Sequence, residues 1–307
     1  IIDAFRVFAK TDNSLYTNSY TTNGEFICPS SGKPCSCGES SVHNCETSAS
    51  GVTLREHRLV SYSEIDGSLY NKKELIFPPE LVLRSDLSLK MNGLGGIRWY
   101  RPLNLRAVLD LKSLYPDAKL VVGNTEVGIE MNFKSARYPI LISVTHVHEL
   151  NHFSIKEHGL EIGSSVRLSK LQEVLLKVIA ERNIHETSSC RAISEQLKWF
   201  AGKQVKNVAS VGGNICTASP ISDLNPLWMS TRTEFRIVGT KGNIRSVPAK
   251  HFFLGYRKVD LAQGEILLSI FLPWSRHFEF VKEFKQSHRR EDDIALVNSG
   301  MRVYPDE

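Results

Sequence analysis

The chain has 307 residues, 41% of them hydrophobic and 23% charged, with 38 basic residues against 33 acidic for a formal net charge of +5. That length exceeds what one hydrophobic core usually supports and predicts two or three packed units. The charges alternate without long basic tracts, which argues against a dedicated nucleic-acid surface and implies only a mild preference for anionic small molecules; no apolar run nears a membrane span of roughly 20 residues, so a membrane protein is not expected.

The chain opens IIDAFRVFAK, with no Met and none of the regions of a signal peptide, and is expected to begin inside a longer polypeptide. Residues 1 to about 75 read as a connector: a short helical start, then turn-forming stretches such as TDNSLYTNSYTTNGEF and PSSGKPCSCGESS. Cys28, Cys35, Cys37 and Cys45 lie there, but their spacings match neither paired zinc ligands nor a plant-type ferredoxin cluster. They are expected to be reduced cysteines, not metal ligands.

From FPPELVLRS onward the composition turns to apolar runs punctuated by glycine and proline. GIRWYRPL alternates like a strand, and LRAVLDLKSLYP places Leu105, Val108, Leu109, Leu111 and Leu114 near helical spacing before Pro116. KLVVGNTEVGIEM predicts a buried strand, a Gly-Asn turn and a mixed segment, and PILISVTHV another strand. HGLEIGSSVRLS follows as a strand with a polar exit. In KLQEVLLKVIAER, Leu171, Val174, Leu175, Val178 and Ile179 form one helical face, and SCRAISEQLKWFAGK predicts a second helix with Ile193, Leu197 and Phe200 in a stripe and Gly202 as its C-terminal cap. EFRIVGTKGNIRSVPA predicts a hairpin and EILLSIFLP a buried strand. Mixed helices and strands without a repeat predict an α+β or α/β protein of more than one layer.

Two segments share a glycine turn beside an apolar run. In VVGNTE, Gly123, Asn124 and Thr125 can present consecutive N–H groups as an anion nest, and in SVGGN the pair Gly212-Gly213 can do the same. Backbone donors suit a diphosphate because they lie close and leave room where a Cβ would clash. Taken singly, either is an ordinary turn. They gain weight together with Asp223, placed to accept hydrogen bonds from sugar hydroxyls, and Phe200, an aromatic face for a planar ring. HELNH, His148 to His152, matches the spacing of zinc peptidases, but that chemistry needs a helix, and β-branched ILISVTHV upstream and the alternating segment downstream argue against one. KQSHRREDD reads either as a solvated loop with internal ion pairs or as a charged gate over a cofactor.

At VVGNTEVGIEM, LKWFAGKQVKNVASVGGNICTASPISDLNP, FFLGYRKVD, EILLSIFLPW and EFKQSHRREDDIA the chain resembles the FAD-binding region of the xanthine dehydrogenase family, its plant form more than its animal one, within the molybdenum hydroxylases. The resemblance spans essentially the whole chain. It implies an α+β fold of the vanillyl-alcohol-oxidase type: a linker over residues 1–75 that follows the iron–sulfur domains, FAD subdomains over 76–150 and 151–275, and the start of a third subdomain over 276–307. It further implies that Leu120, Val121, Val122, Gly123, Asn124, Thr125, Glu126 and Val127 form the first FAD loop and Ser210, Gly212, Gly213 and Asn214 the second, with Thr217 and Asp223 in the same lobe. Phe200 would pack by the cofactor, Leu267 would line its ring system and Lys285 would lie at its edge, while Tyr256, Arg289 and Arg290 would face NAD. The family is homodimeric and cytoplasmic or peroxisomal; electrons from purine hydroxylation at a molybdenum cofactor cross two [2Fe–2S] clusters to FAD and leave as hydride to NAD. No residue for purine oxidation itself is expected in this chain. Aldehyde oxidase is the rival reading, which K-Q-x-x-R-R-E-D-D and G-Y-R-K disfavour.

Overall fold

The computed structural model describes residues 88–93, 96–289 and 292–305, all within the compact unit formed by residues 87–307. The linker cysteines and the N-terminal helical start lie outside the described residues.

A four-stranded sheet comes first, built from β1 (Leu89–Asn92), β2 (Arg98–Arg101), β3 (Lys119–Val121) and β4 (Ile140–Ser143) in the order β1-β2-β4-β3. β4 runs parallel to both β2 and β3, and β1 pairs antiparallel with β2. The parallel pairs need crossovers, supplied by α1 (Leu105–Leu114) and α2 (Val127–Phe133). α1 starts where the Asn104 side chain accepts the N–H of Ala107 at 2.9 Å. Its Val108 and Leu109 are buried, whereas Leu114 is exposed, so the apolar stripe is narrower than the leucine spacing suggests. All four β4 residues are buried because alternate side chains serve opposite faces. Ile140 and Ile142 join Tyr100, Val108 and Leu109, and Leu141 joins Val121 and Val127.

The second sheet is antiparallel in the order β5-β6-β11-β7-β8, comprising β5 (Phe153–Lys156), β6 (Gly159–Gly163), β7 (Glu234–Val238), β8 (Ile244–Pro248) and β11 (Ile266–Pro273). Two short strands, β9 (Phe253–Gly255) and β10 (Lys258–Val259), make a hairpin of their own. α3 (Leu168–Glu181) buries Leu168, Leu171, Leu175 and Val178, the i, i+3, i+7 and i+10 positions of one face, into the main core. α4 (Ser188–Lys198) adds Ile193 and Leu197. Its predicted cap is placed differently: Trp199 ends the helix, and Gly202, in extended backbone, begins the short α5 (Lys203–Lys206). α6 (Val211–Thr217) and α7 (Asn225–Ser230) follow, and α8 (Ala249–Phe252) leads into β9.

Trp228, Phe235 and Phe252 fill the middle of this core with no side-chain exposure, each worth about 2–3 kcal/mol of transfer free energy. β12 (Phe280–Ser287) and β13 (Ala295–Val303) form a long hairpin against α4 and α7. Val281 donates its N–H to Ser188 Oγ at 2.8 Å, and a Cβ on Gly300 would sit 2.6 Å from the Pro226 carbonyl. The two sheets share core residues, since Val238 of β7 and Ile266 of β11 pack with Ile140 and Val144 of the first lobe. Among the described residues no helix is long and apolar enough to cross a membrane.

Candidate functional site

A cavity of about 680 Å³ opens between the lobes, within the range of about 300–1,000 Å³ typical of small-molecule and cofactor sites. Its first-lobe wall is the chain leaving the carboxyl ends of β3 and β4, residues 122–126 and Val144, the position where α/β sheets generally bind ligands. Its second-lobe wall includes Ser164, Ser165, Phe200, Ser210, Gly212 and Leu267, and the hairpin contributes Asp292 and Asp293.

The structure therefore brings together most of the residues singled out from the sequence. Leu120 through Val127, Phe200, Ser210, Gly212, Gly213, Asn214, Thr217, Asp223 and Leu267 all line this cavity. The N–H groups of Gly123, Asn124, Thr125, Glu126 and Val127 donate to no protein acceptor among the described residues. Asn124 holds φ 57°, the left-handed region that asparagine tolerates better than most side chains. Gly123 is required for a reason internal to the protein: a Cβ there would fall 2.1 Å from the Val208 carbonyl oxygen. The loop thus reaches the second lobe backbone to backbone, leaving five consecutive donors in the cavity wall.

The second glycine pair does something else. SVGGN is not an open loop but the first turn of α6, and its donors are engaged within the protein. The N–H groups of Val211 and Gly212 reach the carbonyls of Val166 and Ser164 at 2.9 and 2.7 Å, and that of Gly213 reaches the Ser210 side chain, which caps the helix, at 3.1 Å. The anion nest expected at Gly212-Gly213 is corrected accordingly. Gly212 is there for close packing, since its Cβ would lie 2.7 Å from both Cβ and O of Ser164.

Asp223 is buried and already engaged. Lys285 donates to its Oδ2 at 2.9 Å and Asn298 to its Oδ1 at 3.0 Å, which leaves further lone pairs on each oxygen. Asn214 accepts a hydrogen bond from Ser222 Oγ at 2.9 Å. Lys285 itself does not line the cavity: it sits behind Asp223 and donates its other bond to the Trp199 carbonyl at 2.7 Å. Tyr256, 73% exposed on the β9–β10 turn, also lies outside the lining. Arg289 does not line the cavity either: its N–H is bonded to Asp293 Oδ2 at 2.7 Å and its guanidinium to the Asp292 carbonyl at 3.2 Å, and it is Asp292 and Asp293 of that turn that line the cavity. Arg290 lies outside the described residues.

Three of the lining residues not expected from the sequence stand out. Arg257 ties the nest to the β9–β10 turn, its guanidinium 2.8 Å from Glu126 and 3.3 Å from Glu130. Lys112 is a buried ammonium bonded to the carbonyls of Pro116 and Ala118, and burial lowers its pKa. Ser165 is 1% exposed. Arg257 stood beside Tyr256 in the sequence, but nothing local marks its partners; Lys112 reads as one more polar position on a helix. Among the described residues six acidic and three basic residues line the cavity, so the basic balance of the whole chain does not carry over to this lining. A bound anion would have to rely on the backbone donors of the nest.

HELNH forms no metal site. His148–Leu150 is a single 3-10 turn, Glu149 accepts the N–H of Leu105 at 3.1 Å, and His152 Nδ1 is bonded to the Glu149 carbonyl at 2.8 Å. The two imidazoles share no helix face.

A two-lobed α+β fold with five unbonded backbone donors on residues that line a cofactor-sized cavity suits a ligand that carries a diphosphate. The family model described as the FAD binding domain in molybdopterin dehydrogenase matches residues 93–275, and the chain belongs to that family. It is 65% identical over 306 residues to xanthine dehydrogenase of Oryza sativa subsp. japonica, covering 99% of this chain and 22% of that protein. It is 44% identical over 254 residues to xanthine dehydrogenase/oxidase of Gallus gallus, covering 82% of this chain and 19% of that protein. The chain thus spans about a fifth of the length of the curated relatives it matches. Among solved structures, carbon monoxide dehydrogenase from Hydrogenophaga pseudoflava superposes with a TM-score of 0.60 at 21% identity over 71% of each chain. Quinoline 2-oxidoreductase from Pseudomonas putida 86 gives 0.57 at 22% identity over 65% of this chain and 66% of that one. At such identities these two report the fold.

Proposed function

We propose that this chain is the flavin-holding part of a xanthine dehydrogenase, working in one polypeptide beside domains that carry two [2Fe–2S] clusters and a molybdenum cofactor, and passing electrons from purine hydroxylation on to NAD. The observation that carries this reading is the 65% identity to the rice xanthine dehydrogenase along 99% of the chain.

The residues present fit FAD. The five unpaired N–H groups of the nest suit a diphosphate, which the carboxylate-rich wall would otherwise repel. Asp223 is held rigidly by Lys285 and Asn298 with lone pairs to spare for a sugar hydroxyl. Phe200 and Leu267 give apolar surface for a planar ring. Ser210, Gly212, Gly213, Asn214 and Thr217 shape the wall between these groups, and the buried Lys285 acts on the site through Asp223. Exposed Tyr256, next to the anchored Arg257, is available to an incoming nicotinamide. FAD, when bound, supplies redox chemistry that exchanges electrons singly or in pairs; binding, orientation and exclusion of water are the protein's share.

The test is a visible absorption spectrum of the full polypeptide supplied with FAD, followed by anaerobic addition of NADH. Flavin bands that bleach with NADH are expected. Bands that stay oxidised with NADH and bleach with an aldehyde would replace this reading with an aldehyde oxidase. Tyr256→Ala is expected to slow NAD reduction more than reduction of artificial dyes, and equal losses would remove Tyr256 from the nicotinamide site.

A further inference from the structure

Buried side-chain polar atoms almost always have a partner, because an unpaired one forfeits its hydration for nothing. Two such atoms without a hydrogen bond, Glu126 Oε1 and Ser165 Oγ, belong to residues lining the cavity. The first lies 2.8 Å from the Arg257 guanidinium and is covered by that ion pair. Among the described residues nothing pairs with the second. Ser165 is 1% exposed, and its backbone is pinned by the N–H bond to the Leu150 carbonyl at 2.8 Å. Its neighbour Ser164 is clamped between the N–H of Gly212 and the carbonyl of Leu268. Ser165 is therefore a cavity-lining residue held on rigid backbone, its buried hydroxyl carrying a donor unused among the described residues.

We infer that Ser165 Oγ donates a hydrogen bond to an acceptor atom of the bound FAD, making it a cofactor-binding residue on the second-lobe wall. This rests on the reading of the cavity as the FAD site. A hydroxyl with no protein partner does nothing for the fold without ligand, and removing it relieves an unsatisfied group. Ser165→Ala should therefore separate binding from stability, which a residue kept for packing or folding would not do.

The experiment is FAD titration of the 307-residue chain and of Ser165→Ala, followed by quenching of flavin fluorescence, with thermal melts of both proteins free of FAD. The expected result is a dissociation constant about three- to tenfold higher for the variant, the size of one neutral hydrogen bond, with a melting temperature without FAD that is unchanged or higher. A shift of the bound-flavin absorption bands alongside the weaker binding assigns the contact to the ring; weaker binding with unshifted bands assigns it to the ribityl or diphosphate portion. Equal affinity and identical bands in the two proteins overturn the inference while leaving the FAD site standing, and so does a variant whose weaker binding is matched by a lower melting temperature without FAD. Failure of the unaltered chain to quench flavin would overturn the underlying reading and the inference with it. Ser165→Thr, which keeps the hydroxyl, should bind more tightly than Ser165→Ala.

Discussion

The ammonium of Lys285 lies 2.9 Å from Asp223 Oδ2, and the two side chains are only 6% and 8% exposed. A segment of the β12–β13 hairpin is thereby bonded, behind the cavity wall, to the loop preceding α7. Removing the cation would strand a buried carboxylate with only Asn298 for support. Lys285→Met should cost about 3 kcal/mol, read as a lower urea midpoint, and Lys285→Met with Asp223→Leu should recover part of it. A double variant no better than the single one would refute the pairing as the source of the loss.

Glycine replacements should rank by what the new Cβ meets. At Gly123 it would strike the Val208 carbonyl at 2.1 Å and at Gly212 Ser164 at 2.7 Å, both against backbone, whereas at Gly213 the nearest atom is the capping Ser210 hydroxyl at 2.9 Å. Gly123→Ala and Gly212→Ala are each expected to destabilise by about 3 kcal/mol and to lose FAD. Gly213→Ala should cost no more than about 1 kcal/mol, the scale of a helix cap. Chemical denaturation of the three variants checks the order.

Arg245 donates to both oxygens of Glu265, at 2.9 and 2.7 Å, and this bidentate bond holds the carboxyl below the usual glutamate range. A carboxyl whose folded pKa is depressed contributes stability above its unfolded pKa and loses it as pH falls through the folded value. Stability should therefore decline as pH is lowered past about 4.3, the ordinary value for glutamate. Glu265→Gln should be less stable at neutral pH and show a shallower acid decline, measured as urea midpoints across that range. An unchanged acid limb would rule out this pair.

Burial pushes the Cys216 thiol up to about 12, far from the thiolate form that reacts with alkylating reagents. At pH 8, iodoacetamide should label the half-buried, cavity-lining Cys216 and the fully buried Cys190 slowly in the native chain, Cys190 the more slowly, and both rapidly in urea, as followed by peptide mass spectrometry. Rapid native labelling of Cys216 would mean that its thiol is not held in the protonated form.

Local pattern carried the elements well where one period ran long enough. The five apolar positions in KLQEVLLKVIAER predict α3, and EILLSIFLP predicts β11, because a helical face and a buried strand each impose spacing readable over eight or more residues. The pattern failed at short glycine-containing turns. SVGGN looked like an open nest but is helical, and Gly202 looked like a helix end but begins the next helix. In such segments a few residues fit several backbone paths, and distant partners choose among them.

By itself, the sequence determined the class of elements, the family resemblance and most of the residues expected to gather round the cavity, since apolar periodicity and long matching blocks survive without coordinates. Only the tertiary structure decided which donors remain available. Among the described residues, the N–H groups of Val211 and Gly212 meet carbonyls more than 40 residues away, those of Gly123 to Val127 meet none, and the hydroxyl of Ser165 is buried without a partner. Hydrogen-bond satisfaction depends on which chain segments come within about 3 Å, and that follows from the packing of the two lobes, not from neighbours in sequence.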